Sequence, residues 1–157
     1  MADGFDDAAA AIRAFFHDRM TAAYPSVPVQ YSNQDFTPPD VDNYPVTGGT
    51  PDDLLASTWM QLAVIWADSR QADMAESPRY RSTGLVTVSV NVPRGSGDGL
   101  ALKVANDVST AFRRLRLDGN ILFRGPVVRR VGPDGQWYKV NVTVPFHLDT
   151  VHTVHQS

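Results

Sequence analysis

The sequence predicts an α+β fold: two layers, with a mostly antiparallel β-sheet and two amphipathic helices packed on one of its faces. Three observations carry this. Ala101, Val104, Ala105, Val108, Ala111, Phe112 and Leu115 follow i, i+3, i+4, i+7 spacing, the stripe of a helix lying on a core. In "YRSTGLVTVSVNV", residues 80–92, Val86, Val88, Val90 and Val92 fall on one side, and Thr87, Ser89 and Asn91 on the other. That alternation describes a strand with one wet face. The remaining strand-like runs follow one another through turns, so hairpins dominate and the helices are left to cover one face.

The elements follow in order. A first helix is expected over about residues 6–22. Asp6 and Asp7 suit its positive N-terminal end. Ala8, Ile12, Phe15 and Phe16 give it an apolar face. Tyr24-Pro25 ends it, because the residue before proline avoids helical dihedrals. "VPVQY" then reads as a short strand. Residues 32–56 read as a long loop, rich in proline, aspartate and glycine, with Phe36, Tyr44 and Val46 as its candidates for burial.

"STWMQLAVIWAD" is rich in strand formers. Met60, Leu62, Val64 and Trp66 share one side, and Gln61, Ala63 and Ile65 the other. Both sides are largely apolar, which predicts a central or doubly covered strand. It should pair with residues 80–92 as a hairpin with an extended polar tip at 68–79. The second helix is expected from Asp98, as its N-cap, to Leu115. Short strands follow at 120–123 and 126–131. Gly132-Pro133-Asp134-Gly135 makes a tight turn, and "WYKVNVTVPF" is the last strand, with a free tail at 150–157. With 157 residues, the whole chain, 1–157, is expected to be one domain.

Composition narrows the function. There is no cysteine, which removes disulfides, thiolate metal sites and cysteine nucleophiles together. The first residues are acidic where a signal peptide would be basic, and no run of eighteen apolar residues suggests a membrane span. The net charge of −3 is unevenly spread: residues 1–53 hold nine aspartates and two arginines, while residues 54–157 carry the basic excess. Such asymmetry points to a partner surface, either nucleic acid or an acidic patch of one copy meeting a basic patch of another.

Candidate chemistry is thin. "NVPRGSGDGLALKVA" sets three glycines between a strand and a helix, the outline of a phosphate cradle. It lacks the third glycine of a dinucleotide fingerprint and the Lys-Ser/Thr of a P-loop, and Asp98 stands where a phosphate would go. His147, His152 and His155 with Asp149 gather at the C-terminus, but their spacing on an extended chain does not aim them at one metal. The single glutamate, Glu76, sits in a polar loop, and no nucleophile elbow is present. No catalytic, cofactor-binding or metal residue is therefore assigned. The arginines are the strongest cluster: Arg113, Arg114 and Arg116 close the second helix, and Arg124, Arg129 and Arg130 follow. Without aromatic interleaving they suit a protein–protein surface better than nucleic acid.

Beyond these readings, the chain resembles the tail terminator proteins of bacteriophages with long non-contractile tails, and their relatives in gene-transfer agents. The resemblance spans nearly the whole sequence. It rests on "AAYPSVPVQYSNQDFTPP" after the opening helix, "WMQLAVIW", "RSTGLVTVSVNVPRGSGDGLALKVANDVSTAFR" and "WYKVNVTVPF". It implies a structural virion protein, without enzyme activity or cofactor, forming a hexameric ring on the head-proximal end of the tail tube. There it would end tube polymerisation and offer a surface for head–tail joining. The implied partners are other copies of itself, the tube protein and a neck adaptor or completion protein, with DNA only passing through the lumen and no membrane. The implied location is the virion neck, after assembly in the host cytoplasm. Candidate interface residues are Asp35, Asp40, Asp42, Asp52 and Asp53 on the acidic side. On the basic side they are Arg70, Arg79, Arg113, Arg114, Arg116, Arg124, Arg129 and Arg130. The alternatives are another neck component or, in a different class, a small nucleotide-binding protein using the 95–99 loop.

Overall fold

A computed structural model of the chain describes residues 4–31, 36–39, 57–71 and 79–151. The elements are α1 (Phe5–Ala23), β1 (Val29–Tyr31), β2 (Trp59–Gln71), β3 (Arg79–Pro93), α2 (Gly99–Phe112), β4 (Arg116–Leu117), β5 (Ile121–Phe123), β6 (Val127–Asp134) and β7 (Trp137–Val151). One sheet runs β1-β2-β3-β7-β5-β4, with β6 also paired to β7. Every pairing is antiparallel except β1 with β2. The expected α+β class and the hairpin between β2 and β3 are therefore present.

Register turns the valine alternation into rows across the sheet. Met60, Val90 and Val140 align, as do Leu62, Val88 and Val142, then Val64, Val86 and Val144. Side chains in line across strands share a face. The three valines of β3 and the three of β7 in these rows are fully buried, together with Ala101, Val104, Ala105, Val108 and Phe112 of α2 and Ile12 and Phe16 of α1. Both helices thus lie on this face. At α1's end the Tyr24 hydroxyl donates to the Asp107 carboxylate of α2. Burial first, and then the hydrogen bond to Asp107 and its charge, push that phenol well above its ordinary range.

The next row is aromatic and joins both helices to the sheet. Trp66 of β2 stacks on Phe5 of α1 at 4.3 Å and meets Phe146 of β7 edge-on at 5.2 Å. Phe146 contacts Phe123 of β5 at 5.6 Å, and Phe123 contacts Phe112 of α2 at 5.3 Å. Phe112 returns to α1 through Phe15 at 5.5 Å and Phe16 at 6.3 Å. Gly84 lies between Trp66 and Phe146 in the same row. A Cβ there would sit 2.7 Å from the Phe146 ring and 2.7 Å from the Ile65 carbonyl oxygen. The residue is glycine because the ring occupies the place of a side chain.

Several expectations are corrected. α2 stops at Phe112 rather than Leu115: Arg113 turns extended, and Arg114 takes φ 56°. The Leu115 carbonyl then accepts from Phe123 N at 3.1 Å, so the chain spends that backbone group on β5 rather than on another helical turn. The Asp98 side chain makes no capping bond; it faces Arg130 at 3.4 Å, while its carbonyl accepts from Leu102 N. Among the described residues only the three-residue β1 lies outside β2, and Ile65 is exposed, so β2 is second in the strand order rather than central and is open on one face at Ile65. The face carrying Thr87, Ser89 and Asn91 is drier than expected, with Ser89 and Asn91 buried. There Phe36, half-buried, packs on Trp59, which meets Trp137 edge-on. β7 runs to Val151, five residues past its expected end, so residues 150 and 151 belong to the sheet rather than to a free tail. Tyr44, Val46, most of the 32–56 loop, the hairpin tip at 72–78 and the tail at 152–157 lie outside the described residues.

Gly84→Ala should cost about 1–3 kcal/mol, the usual range for overpacking a well-packed site. Urea unfolding followed by tryptophan fluorescence would show it as a lower midpoint. An unchanged midpoint would mean that the ring over Gly84 shifts at no cost.

Candidate functional site

The sheet gathers the basic residues along one margin. β5 and β6 share the edge of β7 away from β3, and β4 lies beyond β5. Arg113 follows α2, Arg114 occupies the left-handed turn, Arg116 opens β4, Arg124 follows β5, and Arg129 and Arg130 lie on β6. All six are exposed. Register divides the last two. Arg129 aligns with Asn141 and Ser89 on the face away from the helices, whereas Arg130 aligns with Val140 on the helix face, where it meets Asp98. The six are thus brought to one side of the molecule but not to one point. Arg70 and Arg79 lie in the β2 and β3 backbones, at the hairpin end. Asp35, Asp40, Asp42, Asp52 and Asp53 lie outside the described residues, so their expected pairing with the arginines has no geometry here.

Arg114 stands out locally. A left-handed backbone is unfavourable for a long L-side chain, and glycine or asparagine is the usual occupant. Asp118 at φ 53° and Gly119 at φ 79° turn the chain again after β4. Together these turns hold Arg113, Arg114 and Arg116 out from the body.

The glycine loop is a turn. Gly95 and Gly97 have φ 89° and 85°, and a Cβ on either would meet nothing within 4 Å. They serve the backbone path rather than the close approach of another group. Ser96 folds back on the Pro93 carbonyl, to which its N and Oγ donate at 3.2 and 2.6 Å. Arg94 N donates to the Gln136 carbonyl at 2.9 Å, tying the loop to the β6–β7 hairpin. An open groove of about 440 Å³ lies between them, lined by Arg94, Gly95, Gly97, Asp98, Pro133 and Tyr138. Asp98 puts an anion in it, and Lys103 is on the exposed side of α2.

A second polar cluster lies at the other end of the sheet, on the face away from the helices. Arg81 Nε and Nη2 donate to the two Asp149 oxygens at 2.8 and 3.1 Å. His147 Nε2 is 3.8 Å from Asp149 Oδ2, and its Nδ1 is buried with no hydrogen-bond partner among the described residues. His147 borders a hollow of about 300 Å³ with Thr83, Gly84, Arg124 and Pro145. Burial pushes the imidazole below its ordinary range; Arg81 and Arg124 act in the same direction, and Asp149 opposes them. The sequence reading missed this cluster, because only register places Arg81 opposite Asp149. No group of three or more potential metal ligands occurs among the described residues. His152 and His155 lie outside them, and His17 is exposed on α1.

Also missed was the character of β6. Val127, Val128 and Val131 are 52%, 39% and 51% exposed on an eight-residue strand whose outer side has no partner among the described residues. The sequence did carry a signal: Pro126 and Pro133 bracket the run, and proline inside or beside a strand marks an edge.

The described residues thus form a two-layer α+β body with a basic margin and an apolar strand edge at β6. The family model for phage tail terminator proteins matches residues 7–146, and the chain belongs to that family. The family supports a structural part in a phage tail, in association with other tail and neck proteins. Several solved structures match; one of them does so with a TM-score of 0.59 and 22% identity, covering 93% of this chain and 96% of the other, a likeness of fold. No curated protein matches the chain. Among the described residues, no helix is long and apolar enough to cross a membrane.

The His147 shift fixes a pH dependence. The folded state disfavours the charged imidazole, so its contribution to stability is complete above the ordinary value of 6.5 and is lost as pH falls below it. The urea midpoint should drop between pH 7.5 and pH 5, and less steeply in His147→Gln. Parallel slopes in the two proteins would assign the titration to other groups.

Proposed function

We propose that this protein is a ring-forming subunit that caps the head-proximal end of a phage tail tube, ends tube polymerisation and presents the surface to which the head is joined. Membership of the tail terminator family carries this reading. The expected ring is a hexamer of one-domain subunits. Its partners are the tube protein below and a neck adaptor or completion protein above, with DNA passing only through the lumen. The protein acts in the virion neck after assembly in the host cytoplasm, and it needs neither a cofactor nor catalysis.

The arginine margin supports such a ring. A closed ring needs heterologous contacts, one patch meeting a different patch on the neighbour. The acidic N-terminal third and the exposed arginines supply opposite signs within one chain. Arg114 keeps a cationic side chain where the backbone favours glycine, as expected if its charge is used.

Electron microscopy of the purified protein with and without tail tubes tests the proposal directly. Rings on one end of each tube, with polymerisation halted there, are expected. Rings on head vertices instead would favour the rival reading as another neck component. Decoration along tube walls would contradict both.

Charge reversal of Arg113, Arg114 and Arg116 together should weaken the ring. Exposed ion pairs contribute about 0.2–1 kcal/mol each, so the loss should be about tenfold or more and should shrink in high salt. Native mass spectrometry across a dilution series would measure it. A hexamer that survives dilution unchanged would remove these arginines from the interface.

A further inference from the structure

Among the described residues the sheet leaves strand edges unpaired on opposite sides. On one, β6 presents its outer side with Val127, Val128 and Val131 exposed. On the other, β1 pairs only with Met60–Leu62, so β2 from Ala63 onward has no neighbouring strand among the described residues. Ile65, 52% exposed, lies on this free stretch. An open edge with exposed branched residues is a template for another strand, and proteins usually blunt such edges with charge, bulges or cover. Here β6 has a register shift between Arg130 and Gly132, leaving Val127–Arg130 as its regular stretch.

The two edges differ in charge. Beside the valines, β6 carries Arg129 and Arg130, with Arg124 just before it. Beside β2 stands the first turn of α1, where Phe5 is stacked on Trp66 and Asp6 and Asp7 are exposed. One edge is apolar and basic, the other apolar and acidic. Like edges repel and unlike edges match, which disfavours a two-fold dimer and favours a head-to-tail contact.

We propose that the β6 edge of one copy pairs with the free β2 edge of the next, so that neighbouring subunits join sheet to sheet around the ring. The occupant of the β6 edge is a second copy of this chain. The proposal rests on the ring-forming reading above and names the surfaces that make the ring. Ala63, Val64 and Ile65 meet the β6 valines, while Arg130, on the helix face, approaches the acidic first turn of the next copy's α1.

A complementation experiment tests the pairing. Val127→Asp with Val131→Asp spoils the β6 edge by placing acid against acid. Ile65→Lys spoils the β2 edge by placing base against base. All three positions are about half exposed, and thermal melting checks that each variant is folded. Val127→Thr with Val131→Thr is the milder replacement should the aspartates unfold the chain. Native mass spectrometry in solution and electron microscopy on tail tubes give the readout.

Each spoiled variant alone should associate at least tenfold more weakly than wild type and be absent from tube ends. An equimolar mixture should give heterodimers, because one intact β6 edge still meets one intact β2 edge. Rings from either variant alone, or a mixture that stays monomeric, would overturn the edge pairing and leave the tube-capping reading intact if wild type still caps tubes. A wild-type protein that forms no ring in solution or on tubes would overturn both.

Discussion

The structure depends on a run of aromatic contacts that begins and ends on α1. Phe5 meets Trp66, Trp66 meets Phe146, and the line continues through Phe123 and Phe112 to Phe15 and Phe16. Each such pair contributes about 0.5–1.5 kcal/mol beyond the area it buries. Its larger effect is geometric. It crosses β2, β7, β5 and both helices, so none of these can move far without opening a contact in another. Gly84 is the place where the sheet makes room for it. The valine rows supply the bulk of the core, and the aromatic row sets how the two layers sit against each other.

This row also positions the basic margin. Phe112 is the last residue of α2, and Phe123 closes β5. Their contact pins both ends of the segment that carries Arg113, Arg114 and Arg116. The left-handed residues Arg114, Asp118 and Gly119 then make a tight excursion between fixed points. An interface built on such a segment loses little freedom on association, because the ordering was completed during folding.

The layers, helices and hairpins were legible in the sequence because they follow from periodicity. The spacing from Ala101 to Phe112 and the alternation from Val86 to Val92 each record one face of one element. What was not legible depends on register or on competition between partners. Nothing local shows that Arg81 lies opposite Asp149, or that His147 is buried beside them. The helix pattern continued to Leu115, but the chain leaves the helix at Phe112, where Arg113 turns extended and Arg114 left-handed, and Leu115 pairs with β5. Asp98 looked like a side-chain cap until Arg130 was brought beside it. The open edge of β6 was half legible, in its flanking prolines. That no described strand lies beside the outer edge of β2 beyond Leu62 required knowing how short its pairing with β1 is.

The placement of β7 has a consequence for synthesis. It follows every other described element in the chain, yet it lies in the middle of the sheet, paired with β3 along its whole length on one side and with β5 and β6 on the other. A nascent chain that has not reached it holds a β2–β3 hairpin and a short β4–β5 pair with no central strand between them, and a β6 without its partner. Such long-range pairing forms late. The subunit therefore acquires its continuous sheet, and the β6 edge of that sheet, only once β7 has emerged from the ribosome. A chain cut short before it would have no assembled margin to offer a growing ring.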